Sequence, residues 1–131
     1  AQRGPVLFQL PPYLKKDLHL LADFLALLPP DHRAVFEFRH DSWFSDEVYR
    51  LLRQHHAALC LSERENALPP PLIETADWAY LRLRLESYSE RELAQWAERL
   101  AATSWQRAYV YFMHEPTAPA YAQTLMRIAG T

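Results

Sequence analysis

Glycine is nearly absent from this chain of 131 residues: its two glycines, Gly4 and Gly130, sit at opposite ends. No glycine-rich phosphate loop and no dinucleotide-binding fingerprint can be built from them. Cysteine is scarcer still. A single one, Cys60, excludes a disulfide framework, a CxxC redox pair and a cysteine-rich zinc site. No apolar run approaches the ~18 residues of a membrane span, and no basic-then-apolar leader opens the chain. A soluble, cytoplasmic protein with no membrane partner is the expectation. Lysine is also rare, outnumbered twelve to two by arginine. The 16 acidic residues dilute any basic face, and the net charge of −2 gives no general pull toward nucleic acid.

What is present is hydrophobic: 50% of the residues, with 13% aromatic. A chain of this length and composition can bury one core. Five short apolar runs read as strands: Val6–Leu10, Ala34–Phe38, Ala57–Ser62, Trp78–Leu85 and Ala108–Met113. Most are nearly continuous, as expected of parallel strands covered on both faces.

Four helical patterns alternate with them. The first is a stripe of Leu14, Leu18, Leu21, Leu25 and Leu28. The second starts at Ser45, with Asp46 and Glu47 suited to the positive end of its dipole. The third opens with the capping-box sequence Ser89-Glu90-Arg91-Glu92. The fourth is expected from about Thr117 to Ala129, with Pro119 in its first turn and Gly130 as its stop. Between the third and fourth strands, Pro69-Pro70-Pro71 predicts a stiff, extended connection instead of a helix.

Alternating strands and helices mean an α/β fold with right-handed crossovers. Parity chooses between a doubly wound sheet and a barrel. Gln9 lies opposite Phe8 and Leu10. Glu37 and Arg39 lie opposite Phe36 and Phe38. Arg82 and Arg84 lie opposite Leu81, Leu83 and Leu85. Three strands thus have one apolar face and one that turns polar toward the C-terminal end, the pattern of a barrel lining. A full eight-stranded barrel typically needs ~250 residues. The expectation is therefore a single partial domain over residues 1–131, about five βα-type strands forming the C-terminal part of a TIM-like (β/α)8 barrel. Its first expected partner is the missing N-terminal half.

Gly4-Pro5-Val6-Leu7-Phe8-Gln9-Leu10-Pro11-Pro12 and Phe36-Glu37-Phe38-Arg39-His40, followed by Ser42-Trp43-Phe44, resemble the YecE-like family. Thr75-Ala76-Asp77-Trp78-Ala79-Tyr80-Leu81-Arg82-Leu83 and Tyr109-Val110-Tyr111-Phe112 support the resemblance, which covers essentially the whole chain. It implies a TIM-like barrel of about twice this length, and it implies no particular chemistry. At two places this chain departs from the commoner family pattern. Arg84-Leu85 stands where many members have His-Gly, and Met113-His114-Glu115 where many have Asn-Asn-Asp.

The candidate site is the polar end of the strands. Glu37 is the candidate acid–base or orienting group, and Arg39, Arg82 and Arg84 are a candidate clamp for a small anionic ligand. The alternative is that Glu37, Glu63, Glu86 or carboxylates of the absent half neutralise these arginines as structural pairs. His40 and His114 are the candidate proton carriers. Gln9, Trp43 and Glu115 complete the candidate ligand contacts, although a loop tryptophan often just packs under its own loop. No metal site is expected, because the histidines lack any ligand spacing, and the sequence specifies no cofactor. Tyr109 and Tyr111 share parity and are expected to face inward. Trp78, Trp96 and Trp105 fit packing, and Cys60 reads as a small core residue. His55 and His56 end a helix, and His19 and His32 read as surface residues. Acid–base or hydrolytic chemistry on a small anion is the favoured expectation. A non-catalytic binding barrel is the first rival and a nucleic-acid-acting protein the second.

Overall fold

The computed structural model describes residues 4–68 and 70–112, and the backbone of residues 122–127. Its elements are strand β1 (Val6–Gln9), helix α1 (Leu18–Leu27), β2 (Ala34–Glu37), a 3₁₀ turn at Asp41–Trp43, α2 (Asp46–Gln54), β3 (Ala58–Glu63), β4 (Trp78–Leu83), α3 (Glu90–Ala101), β5 (Arg107–Phe112) and β6 (Ala122–Arg127). All five expected strands form, each within two residues of the predicted ends. They pair in parallel and in chain order, β1 to β5.

The helices start where their caps dictate. The Asp17 side chain accepts from Leu20 N–H at the head of α1. Ser45 caps α2. At α3, Ser89 and Glu92 exchange reciprocal hydrogen bonds of 3.1 and 3.0 Å. No helix separates β3 from β4. The proline-containing segment crosses the sheet as a strap, packing Leu72 and Ile73 onto the core. It is tied down by Thr75 Oγ1 donating to Ala57 O (2.7 Å) and by Arg53 Nε donating to Glu74 O (2.9 Å).

The two faces of the sheet differ. One buries Phe36, Leu59, Leu61, Leu81, Leu83 and Val110 against Leu21 and Leu25 of α1, Val48 and Leu52 of α2, and Trp96 and Leu100 of α3. The other carries Val35, Ala58, Cys60, Trp78, Tyr80 and Tyr109, with no helix packed on it among the described residues. Helices on one face and strands in chain order are the winding of a βα barrel; a doubly wound sheet has helices on both faces and a reversal of strand order. The parity of the sequence therefore identified correctly which face carries the polar residues.

The fourth expected helix is a correction. Ala122–Arg127 is a strand, antiparallel to β5, with a ladder from Phe112 opposite Ala122 to Arg107 opposite Arg127. Without it, the outer edge of β5 would be a row of unpaired N–H and C=O groups. The ladder satisfies them, and tertiary pairing overrides the local helical pattern. The rest of that expected helix, and Gly130, lie outside the described residues.

Candidate functional site

The face without helices carries the polar residues at its C-terminal end. Register aligns Gln9 with Glu37, Ser62 with Arg82, and Arg82 with Tyr111. The β2–β3 pairing puts Glu37 level with Cys60, so Gln9 and Glu37 form one row and Ser62, Arg82 and Tyr111 the next toward the strand ends, with Arg39 level with the second row and Arg84 beyond it.

Glu37 is the hub of this cluster. It is 2% exposed, and a buried carboxylate needs partners. Its Oε1 accepts from Arg82 Nη1 (2.6 Å) and Gln9 Nε2 (2.7 Å). Its Oε2 accepts from Ser62 Oγ (2.9 Å), and the Cys60 thiol lies 3.8 Å away. Arg84 Nη2 stands 3.5 Å from Oε2 and Arg39 Nη2 3.7 Å from Oε1. Burial works to raise the Glu37 pKa. The hydrogen bond from Gln9, the charge of Arg82, the hydrogen bond from Ser62 and the charge of Arg84 outweigh it, so the carboxyl is held below the ordinary glutamate range.

Three arginines thus share one carboxylate. Arg82 makes the short contact, while Arg39 and Arg84 sit beyond good hydrogen-bond length. Arg84 is electrostatically strained: burial first, then repulsion from Arg82, lowers its pKa against the attraction of Glu37. Its Nε is buried and has no hydrogen-bond partner among the described residues. Beside the cluster, β2 and β3 pair only through Val35 with Ala58 and Phe36 with Leu59. Past these pairs lies a cavity of about 240 Å³, with Glu37, Arg39, Asp41, Ser62 and Arg64 in its wall. A larger cavity of about 600 Å³ lies at the opposite, N-terminal end of the strands, with Asp31, His55, His56 and Asp77 at its edge. Those four side chains are exposed and form no buried constellation, and the site-bearing end of this winding is the C-terminal one.

Of the expected site residues, Gln9, Glu37, Arg39, Arg82 and Arg84 are brought together. His40 is not. Its Nδ1 accepts from Ser42 N–H (3.1 Å) and lies 2.9 Å from Ser42 Oγ, which in turn accepts from Lys16 N–H (2.7 Å). It therefore orders the loop and makes no contact with the Glu37 carboxylate. Trp43 is not in the mouth either. It is 1% exposed, stacks on Phe38 with centroids 4.6 Å apart, and donates its Nε1–H to Leu14 O at 2.7 Å. His114 and Glu115 lie outside the described residues. Glu63 does not neutralise the arginines; it accepts from Trp96 Nε1 at 3.0 Å on the helix side. His32, expected on the surface, is half-buried.

Ser62 was not singled out from the sequence, yet it holds Glu37 directly. A signal was available: it shares the parity of Ala58 and Cys60 and is a lone hydroxyl at the end of an apolar strand, as Gln9 is a lone amide. Tyr80 has the same parity as Arg82 and places its ring 4.8 Å from that of Tyr111. Burial raises the pKa of both phenols, so both are neutral donors. Cys60 is no nucleophile: burial, and then the Glu37 charge, push its thiol up to about 12.

The winding and the arginine-lined strand ends define an α/β protein with five parallel strands in chain order and helices on one face of the sheet. The family model for the protein of unknown function DUF72, the family to which the YecE-like proteins belong, matches residues 1–131, and the chain belongs to this family. Among solved structures it is similar to a DUF72 family protein from Thermotoga maritima MSB8, at 25% identity and a TM-score of 0.63 over 81% of this chain and 49% of that one. It is also similar to a DUF72 family protein from Enterococcus faecalis V583, at 14% identity and a TM-score of 0.67 over 86% of this chain and 55% of that one. The chain thus spans about half the length of these relatives. No curated protein matches it. Among the described residues no helix is long and apolar enough to cross a membrane.

Proposed function

We propose that these residues are the C-terminal part of a TIM-like barrel, one partial domain completed by an N-terminal half, whose mouth binds a small anionic ligand through Arg39, Arg82 and Arg84. The observation that carries this reading is the imbalance around Glu37: among the described residues, one buried carboxylate faces three guanidiniums, and Arg84 Nε is buried without a hydrogen-bond partner. Buried guanidiniums call for negative partners, and their planar forks fit phosphate or carboxylate oxygens.

Glu37 itself is the anchor that holds the arginines. Its lowered pKa suits it to orienting them and not to carrying a proton near neutral pH. The same feature favours binding over acid–base or hydrolytic chemistry by the described residues. The small cavity and the net charge of −2 favour a small ligand over nucleic acid. A single buried thiol is in keeping with a cytoplasmic setting.

The test is a thermal-shift panel of anions at constant ionic strength on the intact protein, with Arg39→Lys, Arg82→Lys and Arg84→Lys beside the wild type. Phosphate or sulfate should raise the wild-type Tm by mass action. The lysine variants should respond less, because they lose the bidentate fork. No anion stabilising the wild type, or all three variants responding as it does, would show that the arginines are structural ion-pair partners.

A further inference from the structure

We infer that the outward flank of α1, carrying Leu20, Phe24 and Leu27, seats a helix of the upstream half, the one whose chain leads into β1. The inference rests on the barrel reading and deepens it by naming where the two halves meet. Leu21 and Leu25 of α1 point into the core. On one flank, Leu18 and Ala22 share a groove with Arg50 and Leu51 of α2. On the other, Leu20, Phe24 and Leu27 follow at spacings of four and three, which stacks them along one side of a helix. The Phe24 ring meets Phe8 of β1 edge-on, with centroids 4.9 Å apart, so this flank leans over β1. Leu20 is 50% exposed and Leu27 80%.

α2 is the internal comparison. It lies between α1 and the proline-containing strap, to which Arg53 ties it. Its exposed positions are Asp46, Glu47, Arg50, Arg53 and Gln54, all polar. α1 has α2 on one side and, among the described residues, no helix on the other. Single exposed leucines are ordinary. Two in line with a phenylalanine, above the strand whose outer edge is unpaired among the described residues, form a ridge. One occupant fits both features. Parallel strands are joined by right-handed crossovers through a helix on the same face of the sheet. A strand added to the outer edge of β1 is therefore followed by a helix that runs beside α1 and into β1. Both DUF72 relatives have about as much chain again as this one matches, enough to supply the pair. The ridge then fills a groove of that helix, with axes ~8–10 Å apart.

The experiment uses the intact protein, upstream half included. Leu20→Ala and, separately, Leu27→Ala should each lower its Tm by at least about 4 °C. Leu68→Ala, at an exposed position beside the prolines, should change it by no more than about 1 °C. Alanine is the best helix former, so α1 itself survives both changes. Amide hydrogen exchange on the wild type tests the barrel reading separately. Val6 and Leu10 donate to Arg33 O and Glu37 O on β2, so the alternate N–H groups of Leu7 and Gln9 point to the outer edge. If those two amides are protected and both α1 variants are as stable as Leu68→Ala, the helix seat is overturned and the joined halves stand. If the two amides exchange at the rate of an unfolded chain, no strand lies against β1, and the barrel reading falls with the inference. A wild-type dimer in sedimentation velocity that either α1 variant dissociates would overturn the inference in favour of a second copy as the occupant.

Discussion

Arg82 Nη1 lies 2.6 Å from Glu37 Oε1, and the two side chains are 10% and 3% exposed. Their Cα positions are 45 residues apart on non-adjacent strands, with β3 between them. The contact therefore spans three strands and fixes the lining face across its width. Breaking such a pair by removing one partner costs about 3–5 kcal/mol, because the remaining charge stays buried. Arg82→Met should fall at the lower end of that range, since Arg84 and Arg39 already stand near the carboxylate. Urea unfolding of the intact protein measures this. A loss below about 0.5 kcal/mol, the level of an ordinary surface change, would mean that the pair does not hold the sheet.

Glu37 also sets part of the acid sensitivity. Its folded-state pKa is lower than its unfolded one. As pH falls, the unfolded chain takes up this proton before the folded one does. The stability it contributes is therefore complete above the unfolded pKa of about 4.3 and is lost as pH drops through the folded value. Glu37→Gln should lower stability at pH 7 and flatten the decline below about pH 4.3. A variant with an acid limb as steep as the wild type's would show that Glu37 is not the group being titrated.

Much of this was legible in the sequence, because parity is a strict local code. Gln9, Glu37, Arg39, Arg82 and Arg84 alternate with large apolar residues, and that alternation places them on one face before any coordinates are seen. Which of them touch was not legible. The approach of Arg82 to Glu37 depends on sheet register, and register is a long-range property. Ala122–Arg127 was misread for a related reason: a short amphipathic segment beside an open sheet edge takes its structure from the edge. Trp43 followed a turn in sequence and could have faced a ligand. The carbonyl of Leu14, in another loop, decided otherwise.

Cys60 should resist modification. With its thiol pushed up to about 12, roughly one molecule in 10⁴ carries the thiolate at pH 8, and the side chain is buried. Iodoacetamide at pH 8 should leave the folded protein unlabelled over hours and label it within minutes in urea, as read by intact mass. Labelling of the folded protein at the rate of a free thiol would show that this face opens to solvent.

The last prediction concerns the edge at β1. Among the described residues β1 pairs with β2 alone, and Val6 is 44% exposed. Its outer side is a free row of backbone donors and acceptors, the usual template for adding a strand. At the other end of the sheet, the outer edge of β5 is covered by β6 in this chain; in the proposed closed barrel that edge belongs to the first strand of the N-terminal half, which would displace β6. The proposed N-terminal half would cover β1 with a parallel strand and continue the order of the sheet. Expressed by itself, the 131-residue chain should then self-associate, and adding the upstream half in trans should suppress the association. Sedimentation velocity across a concentration series reads both outcomes, with calorimetry as the check on folding. A monodisperse monomer that melts cooperatively would show that β1 needs no neighbour. A chain that stays associated when the upstream half is supplied would place the sticky surface elsewhere, with exposed Tyr13, Leu27 and Leu68 the next residues to test.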